Sequence, residues 1–284
     1  MLMIEDIFQA NGITIKKDGI YGDISDYGEQ ELEVRVRKKF AKNHFDYYLD
    51  HISKHHSIPV MDKEIIRFLE TIPKNGTILD IGGCWGWHWR KINEIRPDIK
   101  VFIIELVRSN LHIAKNILGK LIDKNIFLVN GNAINLPFNN NSFDGVWSVQ
   151  ATQHIPSLEL VYREVFRVLK VGGLFADYNL NNSYLSKLIY ILFGKKYLVE
   201  GIVNNQFFLR RTTDKNRSLL NTIFKTKVRS RYTEILFHPE YKLSVGSREK
   251  SLFGMVDSYL ANFGYLLQPF ARQRSLHVLK LKVI

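Results

Sequence analysis

The strongest constraint on this chain lies between Thr77 and Asn179, where five short apolar runs alternate with stretches of helical periodicity. The runs, at 78–81, 101–105, 126–129, 146–149 and 174–178, lack the alternating polarity of a strand with one face in water. Strands of that kind belong to parallel sheets whose two faces are both covered by helices. Between them the spacing predicts helices over 87–94, 109–121 and 158–169. The last sets Leu160, Val161, Val165 and Val168 on one side and Arg163, Glu164 and Arg167 on another. Strands and helices in alternation build βαβ units, so an α/β core with a parallel sheet is expected.

The first strand-to-helix turn reads Leu79-Asp80-Ile81-Gly82-Gly83-Cys84-Trp85-Gly86. Glycines there let the backbone bend tightly and let a ligand approach, and a following helix presents free N–H groups and its positive dipole end. Glu105 ends the next strand, where a carboxylate accepts hydrogen bonds from the two hydroxyls of a ribose. A glycine turn alone also fits a plain tight turn, and with an acidic residue it fits a nicotinamide site.

The flanks differ from this core. Residues 1–28, with Gly12, Gly19, Gly22 and Gly28, read as a loop or short strand that could form a flap. Leu32, Val36, Phe40, Phe45 and Tyr48 predict one helix over 31–54, and a second is expected over 62–72, stopped by Pro73-Lys74-Asn75-Gly76. The start carries Glu5 and Asp6 and has no uninterrupted apolar run, unlike a secretory signal. The single cysteine, Cys84, excludes an internal disulfide and a multi-cysteine metal site. Both features lead to the expectation of a cytoplasmic protein without a metal.

Charge separates the two ends. Residues 1–180 balance 22 Lys+Arg with 22 Asp+Glu, whereas residues 181–284 hold 18 basic side chains and 6 acidic ones, so the whole net charge of +12 lies downstream. Such asymmetry suggests a surface that meets an anion, and a solvated lysine-rich face is the plainer alternative. The stretch 184–196 is apolar with aromatic and basic flanks. It is too short to span a bilayer, and reads as an interfacial segment or a cap over an acceptor pocket.

Five motifs, in order over residues 75–180, carry a resemblance. They are Ile78-Leu79-Asp80-Ile81-Gly82-Gly83-Cys84-Trp85-Gly86; Glu105; Gly131-Asn132-Ala133-Ile134-Asn135-Leu136-Pro137-Phe138 with Ser142-Phe143-Asp144-Gly145-Val146; Gln153-His154-Ile155-Pro156; and Glu164-Val165-Phe166-Arg167-Val168-Leu169-Lys170-Val171-Gly172-Gly173. In these the chain resembles class I S-adenosylmethionine-dependent methyltransferases, in the branch of ubiquinone and menaquinone biosynthesis enzymes and many glycan and natural-product methyltransferases. The Leu-Pro-Phe and Ser-Phe-Asp segments argue against a dehydrogenase.

The resemblance implies a Rossmann-like, seven-stranded, mostly parallel sheet with helices on both faces. It implies N-terminal flap and helices over 1–74, a cofactor-binding core over 75–180, and a basic cap insertion with closing strands over 181–284. It also implies roles for S-adenosylmethionine binding. Asp80 orients the turn and the methionine amino group, Gly82, Gly83, Cys84 and Gly86 wrap that moiety, Glu105 holds the ribose, and Asn132 and Ala133 lie beside the adenine. Cys84 and Asn132 depart from the family's usual glycine and aspartate. Asn132 keeps a carbonyl acceptor but loses a charge-assisted bond.

His154 is the candidate general base, although in related enzymes this histidine is often structural; Asp177, Tyr178 and His238 are lesser candidates. Trp85, Trp87 and Trp89 read as core or as stacking platforms, His88 as a surface or capping residue, and His51, His55 and His56 as a solvated helix end. Three readings of the partner remain. The first is a small-molecule or glycan-like, anionic acceptor, such as a nucleotide-linked or lipid-linked sugar, with peripheral membrane contact through the basic region as a further expectation. The second is RNA, and the third a noncatalytic cofactor-binding scaffold.

Overall fold

Strand residues alternate between two buried cores, which is why their runs are continuously apolar. The computed structural model describes residues 4–9, 16–24, 26–40, 47–239 and 246–282. Along the chain its strands are β1 (Lys16–Lys17), β2 (Ile20–Tyr21), β3 (Thr77–Ile81), β4 (Lys100–Glu105), β5 (Ile126–Asn130), β6 (Phe143–Val149), β7 (Leu169–Leu180), β8 (Glu200–Val203), β9 (Phe207–Arg210), β10 (Arg229–Thr233) and β11 (Gln273–Leu279). The helices are α1 (Glu31–Phe40), α2 (Tyr48–Ile52), α3 (Ile58–Leu69), α4 (Ile92–Ile95), α5 (Arg108–Leu118), α6 (Leu158–Val168), α7 (Tyr184–Leu192), α8 (Asp214–Phe224) and α9 (Leu252–Leu260). Leu79, Phe102, Phe127 and Phe175 point to the face covered by α6 and α8, and Ile78, Val101, Ile126 and Ala176 to the face covered by α3 and α5.

The order β5-β4-β3-β6-β7 is parallel throughout, β11 runs antiparallel to β7, and β10 antiparallel to β11. The carboxyl ends of β3, β4, β5, β6 and β7 therefore share one edge, with the switch of strand order between β4 and β6, where open α/β sheets bind ligands.

Three expectations need correction. The sheet has nine strands, not seven, because the presumed flap forms the β1–β2 hairpin and β2 pairs parallel with β5. Of the helix expected over 31–54, the described residues hold α1 up to Phe40 and α2 from Tyr48, with Tyr47 outside α-helical geometry (φ −125°) before α2; residues 41–46, Phe45 among them, lie outside the described residues. The helix expected over 87–94 is a 3-10 turn, Trp87–Trp89, followed by the four-residue α4. Trp87 and Trp89 are buried there, Trp89 completely. With Trp87, His88 and Trp89 all buried, the turn has no solvent face of the kind an amphipathic helix presents, and so short a turn brings a smaller dipole to the glycines than a full helix would.

Candidate functional site

At the end of β3 the chain turns through Gly82 (φ 66°), Cys84 (φ 51°) and Gly86 (φ 67°). A side chain at Gly82 would strike Ala151, and one at Gly83 would strike the Asp80 carboxylate, so this turn is threaded between two walls. Cys84 takes the left-handed backbone conformation without being glycine, at a cost of roughly 1–2 kcal/mol. Asp80 is buried beneath the turn and accepts the indole N–H of Trp89 at 2.7 Å. Burial pushes its carboxyl up to about 7, with Trp89 opposing and Glu105 adding to the rise.

Glu105, the last residue of β4, braces the same turn. Its Oε2 accepts the N–H of Cys84 at 3.2 Å and its Oε1 the N–H of Val107 at 2.9 Å. Burial raises this carboxyl, opposed by the Val107 N–H and the Arg37 guanidinium. The Cys84 thiol is pushed up to about 12 by burial and by Glu105, so it stays protonated. Beyond β5, Gly131 N–H reaches the Glu105 carbonyl at 3.2 Å, which sets Asn132 and the buried Ala133 beside the Glu105 side of the turn.

Sequence reasoning did not single out Gln30 or Arg37. Gln30 Nε2 donates to Asn132 Oδ1 at 2.9 Å, an oxygen that also accepts Ile134 N–H at 3.2 Å. The Asn132 carbonyl is thus already engaged. Glu29 accepts both the N–H and the hydroxyl of Ser157, and α1 packs against β9. The segment 29–37 thereby crosses from the loop after β5 to the turn before α6. Arg37, paired with Glu33 at 2.7 Å, acts electrostatically on Cys84, Glu105 and His154 from that crossing. Only the tertiary fold reveals these two residues, because nothing in their local spacing marks them.

His154 lies in the 3-10 turn after β6, and both of its ring nitrogens are engaged. Nδ1 faces the Phe208 carbonyl at 2.7 Å and so carries the proton, leaving Nε2 to accept from Gln153 Nε2 at 3.1 Å. Burial, with Arg37 adding, depresses the imidazole to about 4. Asp177 is buried under Thr152 and Tyr162, both of which donate to it. Tyr178 donates to Glu64 at 3.1 Å, and Glu64 also takes both arms of the Arg231 guanidinium. His238 is buried, with Nε2 toward the Phe270 carbonyl at 2.8 Å.

His88 is a correction: expected at the surface, it is buried, and neither ring nitrogen has a hydrogen-bond partner among the described residues. Its ring packs 4.0 Å from Trp87, 6.4 Å from His56 and 6.1 Å from Trp147, by centroids. Burial depresses His88 to about 3. His56 Nδ1, Trp147 Nε1, Gln150 Nε2 and Gln273 Nε2 are likewise buried without a partner among the described residues. His56 is therefore no solvated helix end. Gln150 follows β6 and Gln273 opens the antiparallel β11 opposite Leu180, so these two atoms lie at the carboxyl ends of β6 and β7 and the amino end of β11.

Residues 79–176 match the family model described as "Methyltransferase domain". The chain is 39% identical over 111 residues to the sterol 24-C-methyltransferase of Schizosaccharomyces pombe, covering 38% of this chain and 28% of that protein. It is 39% identical over 105 residues to 24-methylenesterol C-methyltransferase 2 of Arabidopsis thaliana, covering 36% of this chain and 28% of that one. The match spans little more than a quarter of each relative. Among solved structures, phosphoethanolamine N-methyltransferase 2 of Haemonchus contortus with S-adenosyl-L-methionine superposes with a TM-score of 0.53 at 18% identity, over 78% of this chain and 53% of that one. The segment 79–176, about a third of the chain, is thus similar to methyltransferase domains, and the superposition shows that the fold is shared.

Proposed function

We propose that this chain is an S-adenosylmethionine-dependent methyltransferase whose acceptor is a small, largely apolar molecule of lipid character. The observation that carries the cofactor half is the turn at 82–86 held against Glu105. Each Glu105 oxygen accepts one backbone N–H, the Asn110 side chain adds a further hydrogen bond to the carboxyl, and the acceptor capacity left over suits a ribose hydroxyl. Gly82 and Gly83 lie so close to Ala151 and the Asp80 carboxylate that no side chain fits, which fixes the path of the turn. When bound there, the cofactor supplies a methyl group on a sulfonium, already a good leaving group. The protein's task is then to align acceptor and methyl group in a dry pocket. The crossing segment with Gln30, α1 and Arg37 is placed to exclude water above the turn.

For the acceptor, Trp87, His88 and Trp147 form a buried aromatic cluster next to the glycine turn with a few unpaired polar atoms, chemistry that would suit an apolar ligand with one or two oxygens. The sterol methyltransferases named above are similar over the core. An anionic acceptor, whether a sugar or RNA, has less support. Arg210 holds the Ile155 and Pro156 carbonyls and Glu200, Arg231 holds Glu64, and Arg274 holds Asp214. Those guanidinium groups are spent on the fold. His154, with Nε2 occupied and its imidazole depressed, is read as a tether between the turn after β6 and the β8–β9 hairpin.

The test is titration of S-adenosylhomocysteine into the folded protein, followed by release of S-adenosylhomocysteine from S-adenosylmethionine with sterol, phospholipid, sugar-nucleotide and RNA acceptors. Binding with turnover on an apolar acceptor is expected. Absence of binding would sink the methyltransferase reading, binding without any turnover would favour the scaffold, and turnover confined to sugars or RNA would replace the acceptor.

A further inference from the structure

Two helices of this protein are built inside out. In α9 the buried residues are Gly254, Asp257 and Ser258, while Leu252, Phe253, Met255, Val256 and Tyr259 face solvent at 44–67% exposure. Asp257 points inward to accept the N–H groups of Ile235 and Leu236. In α7 the buried residue is Ser186, and Tyr184, Leu188, Ile191 and Leu192 are 53–89% exposed. A helix at a water interface has the reverse pattern, since each exposed leucine forgoes the stabilisation of burial. The turns after α9 continue the trend with Tyr265 at 75% and Leu266 at 77%.

Both helices begin at the same edge of the sheet, α9 with Gly254 against Pro59 and Asp257 beneath the Ile235 and Leu236 N–H groups that follow β10, from where it runs alongside α3. α7 begins four residues after Leu180, which pairs with Gln273, and Asn181 Nδ2 donates to the Gln268 and Ala271 carbonyls just before β11. This is the carboxyl edge of the sheet, where the glycine turn and the unpaired polar atoms also lie. Within the two helical segments the exposed charge is of one sign. Residues 184–199 contain no Asp or Glu, residues 250–272 contain only the buried Asp257, and Lys187, Lys196 and Lys250 are exposed. Among the described residues no helix is long and apolar enough to cross a membrane.

We propose that the outward faces of α7 and α9 dock this protein on the surface of an anionic lipid bilayer, with the carboxyl edge of the sheet turned toward the lipid. Leucine, isoleucine and phenylalanine enter the headgroup boundary, tyrosines sit at its level, and the lysines meet lipid phosphates. The consequence for the acceptor rests on the function proposed above: a lipid-like molecule enters the pocket from the bilayer without crossing water. The docking itself does not depend on that reading.

The experiment is flotation of the full chain with vesicles of phosphatidylcholine alone or mixed with phosphatidylglycerol, at low and high salt. A double variant, Leu188→Ser with Phe253→Ser, and a charge variant, Lys187→Glu with Lys196→Glu, are compared with the native chain. All four side chains are exposed, so S-adenosylhomocysteine affinity reports that fold and cofactor site are unchanged. The native chain is expected to float with the anionic vesicles at least about tenfold more than with neutral ones, and less at high salt. Each variant is expected to lose about tenfold or more of that binding. No flotation, flotation indifferent to lipid charge, or native binding by both variants would overturn the proposal. A concentration-dependent dimer that the serine variant abolishes, without vesicle binding, would assign the surface to a second copy instead. Vesicle binding without cofactor binding would leave the docking standing and remove the methyltransferase reading.

Discussion

The two sides of the carboxyl edge are finished to different degrees. On the side of β3, β4 and β5, Asp80, Glu105 and Asn132 each have partners within the chain, and the neighbouring α5 buries its apolar face. On the side of β6, β7 and β11, His88, Trp147, Gln150 and Gln273 hold buried polar atoms without partners among the described residues, and α7 and α9 turn apolar side chains outward. An unpaired buried donor costs about 1–3 kcal/mol, and exposed apolar surface forgoes what burial would give. Both the proposed acceptor and the proposed bilayer surface are partners of that second side. The first side is a scaffold for a constant ligand; the second is shaped for what it receives.

The brace between the sides should show the largest effect. Glu64, almost wholly buried, takes both arms of Arg231 and the Tyr178 hydroxyl, joining α3 to β7 and β10. Glu64→Ala strands a half-buried guanidinium and is expected to cost about 3–5 kcal/mol, a fall in melting temperature of about 10 °C. A melting temperature within two or three degrees of native, by calorimetry, would mean the two sides are not coupled through it.

Next comes the cofactor side. Glu105→Ala is expected to weaken S-adenosylhomocysteine binding by about 30- to 100-fold, because charged hydrogen bonds to the ribose are lost and the turn loses its brace. Titration calorimetry showing near-native affinity would remove Glu105 from the site.

His88→Phe probes the other side. Replacing an unpaired buried imidazole by an apolar ring should raise stability by about 1 kcal/mol while raising the acceptor KM, with S-adenosylhomocysteine affinity unchanged. The folded imidazole is depressed to about 3, below the ordinary value of 6.5. Its contribution to stability is therefore whole above pH 6.5 and is lost as pH falls toward 3, because the unfolded chain protonates first. The melting temperature of His88→Phe should accordingly fall less between pH 7 and pH 5 than that of the native chain; parallel curves would contradict the buried, neutral imidazole.

The smallest effect is expected at Cys84→Gly. Relief of the left-handed strain at φ 51° is partly offset by the extra freedom of glycine in the unfolded chain, so cofactor affinity should tighten by no more than about fivefold. Weaker binding would show that the thiol itself contributes to the cofactor cradle.

Much of the cofactor side was legible in the order of residues. Continuous apolar runs specify strands buried on both faces, and a glycine turn followed by an acidic residue one strand later is local chemistry at fixed spacing. The antiparallel closing strands β10 and β11 are expected only from the resemblance, not from a pattern of their own residues. The interruption of the helix after the turn was not legible, since it follows from packing Trp87 and Trp89 into the core rather than from propensity.

By itself, then, the sequence determined the parallel core and its carboxyl edge, because short-range spacing and periodicity dictate these, while the cofactor class followed from the resemblance of its motifs to a known family. The tertiary structure alone decided that Gln30 and Arg37 cross the site, that His88 is buried and His154 tethered, and that α7 and α9 face outward. A run such as Tyr184-Leu185-Ser186-Lys187-Leu188 is compatible with either face being buried. Which face turns inward depends on partners far away in the chain, such as the backbone N–H groups of Ile235 and Leu236 that draw Asp257 into the interior.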